Sequence, residues 1–189
     1  MKKLWSRVAI VWIMLAFFSG CSPKATSYVR DDVDYSFIST VAIFPFKNLS
    51  QDVNANQRVH SIFAAQVLER QAVAVIEYGT VLSAMSQMQL DVNSVLTPEQ
   101  IIELGTIMSV DGIFFGAVEE YGLERLSKDR TYAVTASYTL AETQTGTMIW
   151  TAQTSTNGGS FWRKLFGGGS ASLYSVSKSN VNNALETLF

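Results

Sequence analysis

The side chains whose types could do chemistry are few in this chain: one cysteine, Cys21, one histidine, His60, and the neighbouring carboxylates Glu119 and Glu120. A lone histidine without a partner histidine reads as a helix-surface or boundary residue rather than a base or metal ligand. Glu119 and Glu120 are adjacent in a stretch that reads as strand. Alternation sends adjacent strand residues to opposite faces, so they form no acid–base pair. Neither G-x-S-x-G nor G-x-x-x-x-G-K-[ST] occurs in the sequence, which leaves no nucleophile elbow and no phosphate loop. No convergent set of groups, no cofactor site and no small-molecule substrate site is evident, and the chain reads as a non-enzyme. Asp31, Asp32 and Asp34 lack the glycine and the terminal glutamate of a calcium loop, and read as a solvated linker.

Cys21 needs another account. A single cysteine forms no internal disulfide and supplies no thiolate cluster for zinc. A free thiol exposed in an oxidising compartment is a liability. Cys21 closes the segment MKKLWSRVAIVWIMLAFFSGC, in which Lys2, Lys3 and Arg7 precede an 11-residue apolar run, Val8–Phe18, and the small residues Ser19 and Gly20. That is the layout of a secretory signal. The run is too short for a spanning helix, which needs about 20 apolar residues. The tetrapeptide FSGC resembles the bacterial lipobox, with Phe18 where an aliphatic residue is usual. The resemblance implies cleavage between Gly20 and Cys21 and acylation of the new terminus on sulfur and amine, palmitate included. Several chains anchor firmly where one alone is marginal. Ser22 at the next position implies the outer membrane rather than retention in the inner one. Residues 1–20 are thus read as signal, 21–39 as lipidated cysteine and short tether, and 40–189 as one folded domain.

The elements behind the signal fit one domain. Taking Lys2, Lys3 and Arg7 from the 14 basic residues leaves 11 against 16 acidic ones, a balance of −5. With no basic stripe, nucleic acid is not the expected partner. TVAIFPFKNLS reads as a buried strand ending near Pro45, followed by a helix over about 56–71 with Val59, Ile62, Phe63 and Val67 on one stripe. AVAVIEYG reads as a second strand. A short helix follows, with Leu82, Met85 and Met88 directed inward. Thr97, Pro98 and Gln100 spell a capping box with a helix-starting proline. DGIFFGAVEEYG is a third strand. Tyr132, Val134, Ala136, Tyr138 and Leu140 alternate with Ala133, Thr135, Ser137 and Thr139, and a turn at Thr143–Gly146 returns the chain through Met148, Trp150 and Ala152. A last helix over about 172–188 carries Val181, Ala184, Leu185 and Leu188. The fold class is α/β: a layered domain with a mixed sheet of about five strands, three with helical crossovers and then antiparallel hairpins, packed by about four helices.

The segments VAIFPFKNLS, LGTIMSVDGIFFGAV and ETQTGTMIW, in that order, resemble the superfamily of the TolB amino-terminal domain, the CsgG-type curli-secretion lipoprotein and the LpoB-type activators of penicillin-binding proteins. The resemblance covers about residues 40–189. It implies an envelope lipoprotein without catalytic residues. Within the motifs, Gly105 allows close helix packing or a kink, Asp111-Gly112 turns the chain into the third strand and Gly146 can supply the positive φ of the hairpin turn.

One segment, NGGSFWRKLFGGGSAS (157–172), stands apart. Glycines bracket Phe161, Trp162, Leu165 and Phe166, with Arg163 and Lys164 between them. It has two readings: a long connection whose aromatics fold back on the core, or an exposed aromatic–basic finger for a protein partner or lipid headgroups. The expected function is a non-enzymatic outer-membrane lipoprotein that presents a protein-binding domain to the periplasm, in an envelope assembly or accessory role. An oligomeric secretion component and a regulator of peptidoglycan synthesis are the alternatives.

Overall fold

A computed structural model of the chain describes residues 26–29, 35–126, 129–159 and 171–189. Its sheet runs in the order β1 (Thr26–Val29), β7 (Met148–Asn157), β6 (Asp129–Glu142), β5 (Gly112–Leu126), β2 (Thr40–Ile43) and β4 (Ala74–Val75). A two-residue strand, β3 (Lys47–Asn48), pairs with β5 beyond the end of β2. Strand β2 is parallel to both β4 and β5, and the β5–β6–β7–β1 part is antiparallel. The mixed α/β architecture read from the sequence is therefore the observed one.

Helices cover the sheet unequally. Helix α1 (Ala55–Arg70) and helix α4 (Leu173–Leu185) pack on one face, where Val59, Phe63, Val67, Val181 and Leu185 meet Val134, Tyr138 and Trp150. The rings of Phe63 and Tyr138 are stacked, and Phe46 and Phe114 meet Phe63 edge-on. Helix α2 (Tyr78–Gln87) and helix α3 (Pro98–Met108) cover the other face around Ala42, Phe44 and Ile113. The rest of that second face is solvated, which accounts for its polar side chains: Thr135, Ser137, Gln153 and Ser155.

Several local expectations change. Thr26–Val29, placed in the tether by sequence, forms strand β1 at the sheet edge, so the folded body begins there rather than at residue 40. The second expected strand shrinks to Ala74–Val75. In α2 the buried stripe is Val81, Ala84 and Met85, and Leu82 faces outward at 44 % exposure. Met148 is also outward, at 59 %. A register shift between Leu140 and Ala141 places Leu140 opposite Trp150 and Ala141 opposite Met148, so Ile149 is the extra residue and takes the buried position. The β5–β6 hairpin is longer than expected. Its pairing continues through Gly122 opposite Ala133 to Leu126 opposite Asp129.

Candidate functional site

The three quoted motifs meet in space. Phe46 crosses the sheet surface directly over Gly116, where an added Cβ would lie 2.7 Å from its ring. Asp111 Oδ2 accepts hydrogen bonds from the Ser39 and Thr40 backbone amides, at 3.0 and 2.8 Å, and from the Ser39 hydroxyl at 2.7 Å. These donors, the Ser39 hydroxyl first, hold its carboxyl below the usual carboxylate range, against a smaller opposing effect of burial. Gly105 on α3 faces Thr143, whose hydroxyl donates to the Val110 carbonyl at 2.6 Å. Gly146, at φ 69°, lies against the backbone of Pro98. The capping box is present, with Gln100 N–H donating to Thr97 Oγ1 and Thr97 N–H to Gln100 Oε1. Apart from the capping box, which closes the start of α3 on itself, these contacts fasten helix to hairpin or strand to strand. The motifs therefore define a joint of the scaffold, not a reacting centre.

His60 is half-buried on α1. Its ring meets Phe46 edge-on at 5.2 Å and tilts against Tyr78 at 4.9 Å, while Nε2 lies 3.4 Å from the Ile43 carbonyl oxygen. Burial pushes its pKa down, and the Ile43 carbonyl partly offsets that. No acid orients the ring in these contacts, so it has the surroundings of a packed boundary residue rather than of a general base. Among the described residues no group of three or more His, Cys, Asp or Glu side chains is placed to hold a metal.

Glu119 and Glu120 correct the sequence reading. A bulge between Val118 and Glu120 breaks the alternation. Gln153 Nε2 donates to both Glu119 carboxylate oxygens, at 3.4 and 3.2 Å, and the Thr135 hydroxyl donates to Glu120 at 2.8 Å. Thr135 also bonds the hydroxyl of its neighbour Ser155, two positions along β7 from Gln153. Both carboxylates thus lie on the same solvated face and line one open depression of about 610 Å³ with Asp52 and Glu124. Single-sequence alternation could not show this, because a bulge leaves no mark in residue type.

Sequence reasoning also missed Asn180, the most connected buried polar side chain on α4. Its Oδ1 accepts from the Tyr138 hydroxyl at 2.9 Å and the Thr154 hydroxyl at 2.8 Å. Its Nδ2 donates to the Val134 and Thr154 carbonyls at 2.9 and 3.0 Å. The signal was legible as an asparagine on the apolar stripe beside Val181 and Ala184.

The expected functional residues fall elsewhere. Gly20, Cys21 and the segment Phe161, Trp162, Arg163, Lys164, Leu165 and Phe166 lie outside the described residues, as do Asp31, Asp32 and Asp34. The structure does place the points where the chain enters and leaves. Thr26 pairs with Gln153, and β7 ends at Asn157 opposite Ala133. The β5–β6 hairpin passes that level by four more residues of β6, to Asp129. At this end of the sheet Leu123 is 59 % and Tyr174 63 % exposed. Tyr121, Leu173, Tyr174, Ile62 and Arg58 line an open depression of about 500 Å³ between the starts of α1 and α4. No helix of the described residues is long and apolar enough to cross a membrane.

No family model matches the sequence, and no curated protein matches it. Solved structures do match. A variant PelC dodecamer from Paraburkholderia phytofirmans is 18 % identical, with a TM-score of 0.60 over 87 % of this chain and 98 % of that one. A lipoprotein from Neisseria meningitidis is 22 % identical, with a TM-score of 0.56 over 79 % of this chain and 99 % of that one. The LpoB C-terminal domain from Salmonella enterica is 13 % identical, at a TM-score of 0.49 over 67 % and 86 %. At these identities the likeness is one of fold. The expected kinship with the TolB and CsgG types receives no support from these structures.

Proposed function

We propose that this chain is a lipid-anchored outer-membrane protein of the bacterial envelope, whose α/β body binds envelope proteins on the periplasmic side and carries out no reaction itself. The observation that supports it best is the position of β1. The signal-like segment ends at Cys21, and five residues later, at Thr26, the chain is already paired into the sheet. Five residues reach about 17 Å at most, so acyl chains on Cys21 would hold the whole body against its membrane. A body held so close suits a partner that is also at the membrane. It suits poorly a regulator that must reach across the wall. The fold shared with a Neisseria lipoprotein agrees with an anchored role.

The test is fractionation of cells expressing the full chain and its Cys21→Ser variant, followed by proximity labelling from the membrane-bound form. The wild-type chain should fractionate with outer membrane and label envelope proteins, and the variant should move to the soluble periplasm. Unchanged fractionation of the variant would refute lipid anchoring.

Self-association is a second reading, favoured by the PelC structures, which are dodecamers and match this chain over most of its length. Sedimentation of the detergent-extracted protein separates the two: a single discrete large species supports an assembled ring, and a monomer rules it out.

A further inference from the structure

The five residues from Cys21 to Thr26 reach less far than the β5–β6 hairpin, which lies beyond β7 from β1, and that difference bears on which end of the sheet can face the lipid. Thr26 is level with Gln153. From there β7 runs four residues to Asn157, opposite Ala133, and the β5–β6 hairpin continues four more to the pair Leu126–Asp129. Eight residues of strand rise about 26 Å. The five residues from Cys21 to Thr26 span about 17 Å when fully extended. With the strands pointing at the membrane, the hairpin therefore reaches the lipid surface before the anchor is taut.

The opposite orientation is disfavoured by the same arithmetic. The other end of β7, Met148, lies five residues below Gln153, again about 17 Å. An anchor folded back along the sheet would use its whole length merely to draw level with Met148, with nothing left for the reversal or for the α3 cap and the β6–β7 turn beyond it.

We infer that the sheet end formed by the β5–β6 hairpin and the starts of α1 and α4 is a membrane-docking surface, seated in the phospholipid headgroups of the leaflet that holds Cys21. The inference rests on the lipid-anchored reading above. Its described residues include the types favoured at a membrane–water interface, on the side of the hairpin that faces the starts of α1 and α4, while Asp52, Glu119, Glu120 and Glu124 line the other open depression described above. Tyr121 and Tyr174 present rings with polar tips, Leu123 presents an aliphatic side chain, and Arg58 and Arg130 are exposed cations beside them. The opposite end, at the β6–β7 turn, offers the exposed polar residues Gln144 and Thr145, with Met148 as its exposed apolar side chain.

The test uses the full lipidated chain in phosphatidylethanolamine–phosphatidylglycerol vesicles. Acylation blocks Cys21, the sole native thiol, so a cysteine introduced by Leu123→Cys, Tyr174→Cys or Gln144→Cys is the one site for a fluorophore. All three positions are exposed, and circular dichroism checks that each variant folds. Nitroxide-headgroup lipid should quench the label at positions 123 and 174 several-fold more than at 144. Quenching that is equal or reversed, in protein that floats with the vesicles, overturns the docking surface while leaving lipid anchoring intact. Acylated protein that does not float with vesicles overturns the anchored reading, and the docking surface falls with it.

Discussion

Gly105 and Thr143 are in contact across the joint between α3 and the β6–β7 turn, and the contact leaves no room for a side chain. A Cβ on Gly105 would sit 2.6 Å from the Thr143 methyl, and the Thr143 hydroxyl is committed to the Val110 carbonyl. Alanine at an interior helix position gains about 1 kcal/mol of propensity over glycine, but here it must push the turn away, and overpacking costs about 1–3 kcal/mol. Gly105→Ala should therefore be neutral to destabilising, by up to about 2 kcal/mol. Gly79 on α2 is the control, since nothing lies within 4 Å of its missing Cβ. Gly79→Ala should stabilise, by about 0.4–1 kcal/mol. Urea denaturation of the two variants checks both signs. A stabilised Gly105→Ala would mean that the helix and turn are not packed as described.

The strand joint next to it relies on Asp111. Its carboxylate ties the start of β2 to the start of β5 through two backbone amides and one hydroxyl. Asp111→Ala removes an acceptor comparable to a helix cap, with a cost of about 0.5–2 kcal/mol. Asp111→Asn should recover part of that, because the amide oxygen still accepts. Thermal melts of the pair give the order, and an asparagine variant less stable than the alanine one would contradict the geometry.

Asn180 carries a larger share. It is fully buried, and truncation strands the Tyr138 hydroxyl, leaves the Thr154 hydroxyl only its 3.5 Å bond to the Ala136 carbonyl, and takes a donor from two strand carbonyls. Each unsatisfied buried group costs about 1–3 kcal/mol, so Asn180→Ala should destabilise by at least about 2 kcal/mol. Tyr138→Phe deletes one hydroxyl and leaves Asn180 its other partners, and should cost about 1 kcal/mol. Equal costs for the two variants, measured by chemical denaturation, would show that the network does not act through Asn180.

These contacts separate what residue types announce from what they conceal. Periodicity and turn chemistry were enough for the crossover helices, the Thr97 capping box and the inner face of β6, because those follow from local spacing. The bulges were not legible. One at Glu119 brought two carboxylates to one face, and one at Ile149 turned Met148 outward. Each is set by register against a neighbouring strand, which local alternation does not encode. Strand β1 was hidden for a similar reason. Thr26–Val29 forms a strand because the edge of β7 is available to it, and its exposed, mixed residues carry no amphipathic pattern. Yet its place five residues after Cys21 is the observation on which the proposed close anchoring rests.

His60 makes acid sensitivity a consequence of packing. Its ring lies between Phe46 and Tyr78, and burial pushes its pKa below the ordinary value of 6.5. The titratable group in contact with it is the Tyr78 phenol, itself pushed up by burial and so neutral throughout the window. Between the folded-state pKa and 6.5, the unfolded chain binds a proton that the folded chain refuses. Stability from this residue is thus fully present above about pH 6.5, and falls as pH drops toward the lower folded-state pKa. His60→Gln has no imidazole to titrate and should flatten that part of the profile. Urea midpoints of both proteins across about pH 7.5 to 5 make the comparison, with carboxylate effects common to the two. A wild-type midpoint that rises on acidification relative to the variant would mean that His60 meets an anion or an acceptor strong enough to outweigh its burial.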